Sequence, residues 1–150
     1  MINERISALR NLMEQNKINA YVIPTSDEHG SEYLSDHFKT REYMSGFTGS
    51  AGTLVVTMYE ALLWTDGRYF IQAAEQLQDS EIKLMKAGEE GVPSVEEYLK
   101  KNLIEGSVIG FDGQTTNARQ AEKLAEISEM KIKSDVDLVG EIWSDRPAIE

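Results

Sequence analysis

The two histidines of the chain, His29 and His37, lie in a segment rich in acidic side chains. The acids of that segment are Asp27, Glu28, Glu32 and Asp36. Histidine, aspartate and glutamate are common metal ligands, but a separation of eight residues matches no compact histidine pair. Acidic residues in a polar loop usually serve solvation. We therefore predict no metal site in this segment.

Nucleophilic catalysis has little support in the sequence. The chain has no cysteine, which excludes a thiolate nucleophile, a disulfide framework and a Cys-based zinc site. A Gly-x-Ser-x-Gly elbow is also missing, because Thr48 occupies the first glycine position before Ser50. We predict no catalytic residue in this chain.

The glycine-rich stretch from Gly46 to Gly52 could approach an anion, because closely spaced glycines expose backbone amides. Nucleotide loops, however, follow a strand and lead into a helix, whereas these glycines lead into the β-rich run 53–57. The stretch also lacks the Gly-Lys-Ser/Thr ending of a phosphate loop. We expect a tight turn or bulge.

The stretch from Trp64 to Phe70 is different, because it places Arg68 at the expected start of a helix. A cation in a first helical turn opposes the helix dipole and costs about 0.3–1 kcal/mol. Such a local conflict often marks a functional position, and arginine is suited to gripping a carboxylate or carbonyl group. Alternatively, Arg68 pairs internally with Asp66, Glu28 or Glu32. From the residues alone, both explanations stay open.

Hydrophobic periodicity and turn residues predict the elements that position these side chains. We expect Pro24 to stop the first strand, and Ser94 with Glu97 to form a capping box. Helices are expected near residues 4–15, 68–77, 94–102, 118–127 and 136–143, strands near residues 20–23, 53–57, 61–64, 81–85, 108–111 and 130–132, and a loop with a helical turn across residues 25–40. The two strands before Trp64 form an antiparallel hairpin. The fold class is therefore α/β, with a mixed β-sheet flanked by helices on both faces.

The composition of the chain limits the classes of molecule that it is expected to bind. With 150 residues, 41% hydrophobic and 27% charged, the chain has the size and composition of one folded domain. Its formal net charge of −11 repels nucleic acid and anionic lipid, so neither is expected as a partner. The sequence shows no signal-peptide pattern and no apolar run long enough for a membrane span. These features are compatible with a reducing cytoplasm.

Four stretches resemble the first domain of cytosolic-type Xaa-Pro aminopeptidases, the aminopeptidase P family. They are residues 31–33, 45–53, 64–73 and 142–147. The resemblance implies a creatinase/prolidase N-terminal domain over residues 1–145. Residues 146–150 would then begin a linker to a second N-terminal domain and a catalytic domain with the pita-bread fold.

The resemblance also implies a function. The family removes an N-terminal residue from peptides with proline second, usually with two manganese ions held by Asp, Asp, His, Glu and Glu in the catalytic domain. None of those ligand motifs occurs in this sequence. By resemblance, Arg68 binds peptide substrate at that active site, and the full-length protein is a cytoplasmic homodimer. The isolated domain should be inactive.

Two other functions remain as alternatives. The chain could be a stand-alone binding or assembly module in which Arg68 pairs internally, or the N-terminal domain of another creatinase-fold enzyme such as a prolidase. The stretch from Trp64 to Phe70 favours the aminopeptidase.

Overall fold

A computed structural model of the chain describes residues 2–25, 43–47, 52–65, 67–78, 80–103, 106–111 and 131–133. Of Pro24, Thr25, Arg68 and residues 131–133 it describes the backbone only. The predicted loop at 25–40 lies almost wholly outside the described residues. The helices predicted at 118–127 and 136–143 lie wholly outside them.

The described elements follow the predicted order. They are α1 (Ile2–Gln15), β1 (Ala20–Thr25), β2 (Gly52–Thr57), β3 (Ala61–Thr65), a 3-10 helix (Gly67–Tyr69), α2 (Phe70–Gln76), β4 (Ile82–Lys86), α3 (Val95–Asn102), β5 (Val108–Gly110) and β6 (Lys131–Lys133). Each strand prediction is confirmed within two residues at either end.

Within the described residues, the sheet has six strands in the order β4-β3-β2-β1-β5-β6. Strand β2 lies antiparallel to both β1 and β3, which confirms the predicted hairpin. The pairs β3 with β4, β1 with β5 and β5 with β6 are parallel. The prediction of a mixed sheet is confirmed.

The expectation that Pro24 stops the first strand is wrong. Strand β1 continues to Thr25, and Pro24 faces Thr53 of β2 in the antiparallel register. The pairing of β1 with β5 involves only Ala20 and Tyr21. Within the described residues, Pro24 therefore pairs with one neighbouring strand only, a position that tolerates the missing N–H.

Side chains that alternate along the strands pack into two separate hydrophobic cores, one on each face of the sheet. On one face, Leu54 and Leu63 pack with residues of α1 and α2. On the other face, Val55 and Leu62 pack with Tyr98 and other residues of α3. Strand β3 is accordingly buried along its whole length. Helices thus cover both faces of the sheet, as the sequence predicts.

The predicted capping box at the start of α3 is present. The Ser94 hydroxyl accepts a hydrogen bond from the Glu97 amide at 3.1 Å, and Glu97 Oε1 accepts from the Ser94 amide at 3.2 Å. Two amides of the first turn, which have no partner within the helix, are thereby satisfied. Helix α3 is thus fixed to begin directly after the loop that leaves β4.

Candidate functional site

The turn that carries Arg68 follows the buried strand β3. Gly67, Arg68 and Tyr69 form a single 3-10 turn, and α2 begins at Phe70 with Tyr69 as its N-cap. Arg68 therefore lies two residues before the α-helix. The sequence indicated a position within the first turn of that helix. The argument that Arg68 opposes the helix dipole is therefore weaker, because the dipole acts mainly on charges within the first turn of a helix.

Trp64 fixes the strand end that leads into this turn. Its side chain is 5% exposed, and its Nε1–H donates to the Pro93 carbonyl at 2.8 Å. The indole ring also meets the Tyr98 ring edge to face, with centroids 5.5 Å apart. The next residue, Thr65, accepts a backbone hydrogen bond from Ala87 at 3.0 Å. The segment between β4 and α3 is thus attached to the end of β3 at two points.

The other side of the turn contacts the opposite core. Tyr69 packs edge to face against buried Phe47, with ring centroids 6.0 Å apart. Phe70 lies under the Lys86 ammonium, which is 5.8 Å from the ring centroid. The Arg68 backbone is therefore held between aromatic contacts on its two sides.

The structure leaves several predicted pairings of Arg68 untested. Asp66, Glu28, Glu32 and both histidines lie outside the described residues. The internal ion pair and the substrate contact therefore remain the two explanations for this arginine.

The glycine-rich stretch has the backbone expected of a turn that enters a strand. Gly46 has a φ of 75°, in the left-handed region that glycine adopts without steric cost, and Gly52 begins β2. Residues 48–51 lie outside the described part of the chain. The stretch leads into a strand, so it lacks the helix N-terminus of a phosphate loop.

A polar cluster that the sequence did not indicate lies at the other end of β3. Tyr98 donates a short hydrogen bond from its hydroxyl to Glu60 Oε2, and Lys83 Nζ lies 2.8 Å from Glu60 Oε1. The hydrogen bond from Lys83, followed by that from Tyr98, lowers the pKa of Glu60. Burial, followed by the hydrogen bond to Glu60, raises the pKa of Tyr98 above its usual value. A cavity of about 150 Å³ lies beside this cluster.

A second ion pair lies at this same end of the sheet. Arg10 of α1 binds Glu81 with 2.6 Å between Nη1 and Oε1, and its Nε–H donates to the Thr57 carbonyl at 2.8 Å. Five residues of β3 separate this end from the Arg68 turn, which corresponds to roughly 15–20 Å of extended chain. Tyr98 links the two ends, because its ring packs on Trp64 while its hydroxyl binds Glu60.

Neither a metal site nor a membrane span is found in the described part of the chain. No group of three His, Cys, Asp or Glu side chains there could hold an ion. No helix among those residues is long and apolar enough to cross a bilayer.

The family model described as the creatinase/prolidase N-terminal domain matches residues 5–146. The chain belongs to this family. The resemblance carried by the four sequence stretches is thereby confirmed at the level of the domain.

Two curated relatives are similar to this chain over nearly its whole length. Aminopeptidase P2 of Arabidopsis thaliana is 44% identical over 152 residues, which cover 97% of this chain and 21% of that protein. Probable Xaa-Pro aminopeptidase P of Arthroderma otae is 43% identical over 150 residues, covering 97% of this chain and 24% of that protein. The chain thus spans less than a quarter of the length of these curated relatives.

The crystal structure of X-prolyl aminopeptidase from Caenorhabditis elegans superposes with a TM-score of 0.86 at 37% sequence identity. The superposition covers 100% of this chain and 26% of that one. That protein is described as a cytosolic enzyme with a di-nuclear active site. The similarity therefore extends to the whole chain and to a part of a larger peptidase.

Proposed function

We propose that the chain is the non-catalytic N-terminal domain of a metal-dependent Xaa-Pro aminopeptidase, which removes the first residue from peptides with proline second. The observation that carries the proposal is the superposition of the entire chain on part of an X-prolyl aminopeptidase. Residues 1–145 form the domain in this proposal. Residues 146–150 begin a linker to a second N-terminal domain and a catalytic domain of the pita-bread fold.

The metal ions belong to the catalytic domain in this proposal. The described residues hold no set of three side chains suited to binding an ion, so they do not fit a metal centre. Two manganese ions in the later domain would supply the activated water. What the present chain contributes is contact with the peptide.

Arg68 is the residue proposed to make that contact. A guanidinium presents several N–H donors in a rigid plane, which matches a carboxylate or a peptide carbonyl. The support comes from the position of Arg68 in a turn that is fixed on both sides by Trp64 and Tyr69. A turn whose backbone is free to move would lose more conformational entropy when the arginine that it carries binds the same group.

The first experiment separates the domain from the enzyme. The chain of residues 1–150, purified free of host peptidases, should not cleave an Xaa-Pro peptide with added manganese. The full-length protein should cleave it, and should cleave a matched peptide with alanine second much more slowly. Cleavage by residues 1–150 alone would contradict the proposal.

The second experiment tests Arg68 in the full-length protein. Arg68→Ala should lower kcat/KM by about 10- to 100-fold, because a hydrogen bond to a charged group contributes about 1.5–3 kcal/mol. Arg68→Lys should recover part of the loss, since lysine keeps the charge without the planar fork. Lys100→Ala, a change of an exposed cation in α3, serves as the control and should leave kcat/KM unchanged. An unchanged kcat/KM in Arg68→Ala would remove the substrate role.

We also propose that the full-length protein is a cytoplasmic homodimer. Light scattering after size-exclusion chromatography would measure its mass directly. A monomer at micromolar concentration would rule out the dimer. A stand-alone binding module, one of the two alternative functions, predicts instead that a gene ending near Glu150 encodes the whole protein.

A further inference from the structure

The turn that carries Arg68 is attached to both cores of the domain. Trp64 belongs to the core between the sheet and α3, whereas Tyr69 packs against the core between the sheet and α1. The two aromatic residues therefore lie on opposite faces of the sheet, four residues before and one residue after Arg68 along the chain. Displacement of the turn toward either face would break one of these contacts.

Trp64 is held by a directional hydrogen bond as well as by packing. An indole has a single N–H donor and no acceptor. In Trp64 this N–H donates to the Pro93 carbonyl at 2.8 Å. The backbone bond between Ala87 and Thr65 holds the other end of the segment 87–93. Replacing the indole with a phenyl ring would delete the directed contact and keep only part of the packing.

The Tyr69 contact restrains the turn from its C-terminal side. Tyr69 is the N-cap residue of α2, and its ring meets Phe47 at an interplanar angle of 81°. Phe47 is fully buried, so it gives the ring a rigid surface to pack against. The backbone on both sides of Arg68 is thus fixed by side chains that are themselves held in packed surroundings.

From this arrangement we propose that Trp64 and Tyr69 are positioning residues, which fix the backbone of Arg68 so that its guanidinium reaches the peptide substrate. The inference rests on the proposed substrate role of Arg68 and extends it to two residues that do not touch the peptide. A binding group held in its productive position by packed neighbours loses less freedom when the ligand arrives. Loosening either contact should therefore weaken peptide binding through Arg68.

A double-mutant cycle in the full-length protein tests this inference, with an Xaa-Pro peptide as substrate. Trp64→Phe should lower kcat/KM about three- to tenfold, mainly by raising KM. In an Arg68→Ala background the same change should have little further effect, because the group that it positions is gone. Tyr69→Leu, which removes the edge-to-face contact, should behave in the same way.

Gly110→Ala provides the control for stability. Its added Cβ would crowd Ile18 and Tyr21 between β1 and β5, and neither residue contacts Trp64 or Tyr69 in the described contacts of the turn. This variant should have a lower Tm and an unchanged kcat/KM when assayed well below that Tm. A variant that is merely destabilised is thereby distinguished from one that misplaces Arg68.

The outcomes separate the two proposals. A loss from Trp64→Phe that is equally large with and without Arg68 would overturn the positioning role while leaving the substrate role of Arg68 intact. A wild-type kcat/KM in Trp64→Phe and in Tyr69→Leu would also overturn it. A wild-type kcat/KM in Arg68→Ala would overturn the substrate role, and the positioning role with it.

Discussion

The hydroxyl of Tyr98 donates to the carboxylate of Glu60, and this bond joins helix α3 to the turn between β2 and β3. Lys83 of β4 binds the other carboxylate oxygen, so one side chain connects a helix, a hairpin turn and a neighbouring strand. The partners are separated by 38 and 23 residues in the sequence. We expect this cluster to stabilise the domain, and the ring of Tyr98 also connects it to Trp64.

Removal of the Tyr98 hydroxyl should destabilise the domain. Tyr98→Phe is expected to lower the free energy of unfolding by about 1–2 kcal/mol, because a partly buried hydrogen bond to a charged group is lost. The effect stays modest because the Glu60 side chain is 28% exposed and water can replace the hydroxyl. Urea unfolding measures the change. Tyr59→Phe, at a side chain that is 93% exposed, is the control and should match wild type.

The stability of the domain should fall in acid partly through Glu60. Its pKa is lowered below 4.5 in the folded state, chiefly by the hydrogen bond from Lys83. A lowered folded-state pKa adds stability that is present above the unfolded value of 4.5 and is lost as the pH falls through the folded value. Glu60→Gln should therefore be less stable than wild type at pH 7.

Urea unfolding at several values between pH 7 and pH 3 measures this effect. The difference in unfolding free energy between wild type and Glu60→Gln should shrink below about pH 4.5. Lys83→Met, which removes the main cause of the shift, should show a weaker dependence on pH than wild type. Parallel curves for wild type and Glu60→Gln over this range would contradict the assignment.

The capping box should contribute measurably to α3. Ser94→Ala is expected to cost about 1 kcal/mol, because the Glu97 amide loses its acceptor at the helix start. Ser94→Asp, which supplies another side-chain oxygen and favours the positive helix end, should retain most of the stability. Thermal unfolding followed by circular dichroism compares the three proteins. Equal Tm values for wild type and Ser94→Ala would show that the cap is dispensable.

Gly110 should not tolerate a side chain, for a reason of space. A Cβ at this position would lie 2.9 Å from Ile18 Cδ1 and 3.3 Å from Tyr21 Cδ1. Gly110→Ala is therefore expected to destabilise the domain by about 1–3 kcal/mol through overpacking. Adding Ile18→Val, which deletes the Cδ1 atom, should recover part of the loss.

An exposed glycine supplies the comparison for Gly110. A Cβ at Gly67 would meet only Phe70 Cε2, at the ordinary contact distance of 4.0 Å. Gly67→Ala should accordingly have a much smaller effect on the urea midpoint. A Gly110→Ala protein as stable as wild type would mean that the side chains of Ile18 and Tyr21 move aside without cost, and would contradict the prediction.

Much of the local structure is predictable because its causes are local. Helix α1 follows from the spacing of Ile6, Leu9 and Met13, all of which are buried. The capping box and the β2–β3 hairpin follow from residues a few positions apart. Pro24 shows the limit of this reasoning, because a proline stops a strand only where its missing N–H would have to donate to a paired neighbouring strand.

The candidate site was predictable in part. The sequence indicates Arg68 through its neighbours in the stretch from Trp64 to Phe70, but it places the residue in an α-helix that begins two positions later. The anchors of the turn could not be predicted. Trp64 binds Pro93, 29 residues away, and no periodicity or turn signal connects the two.

Periodicity and turn residues by themselves predicted an α/β domain, because both are properties of short stretches of sequence. The resemblance of four such stretches to a known family implied the creatinase/prolidase N-terminal type and made Arg68 the candidate contact. Only the tertiary structure decided the strand order, the clamping of the Arg68 turn between two cores, and the cluster around Glu60 at the opposite end of the sheet. These features join residues far apart in the chain. They depend on which strands pair and which faces pack, and the free energy of those choices is shared across the whole fold.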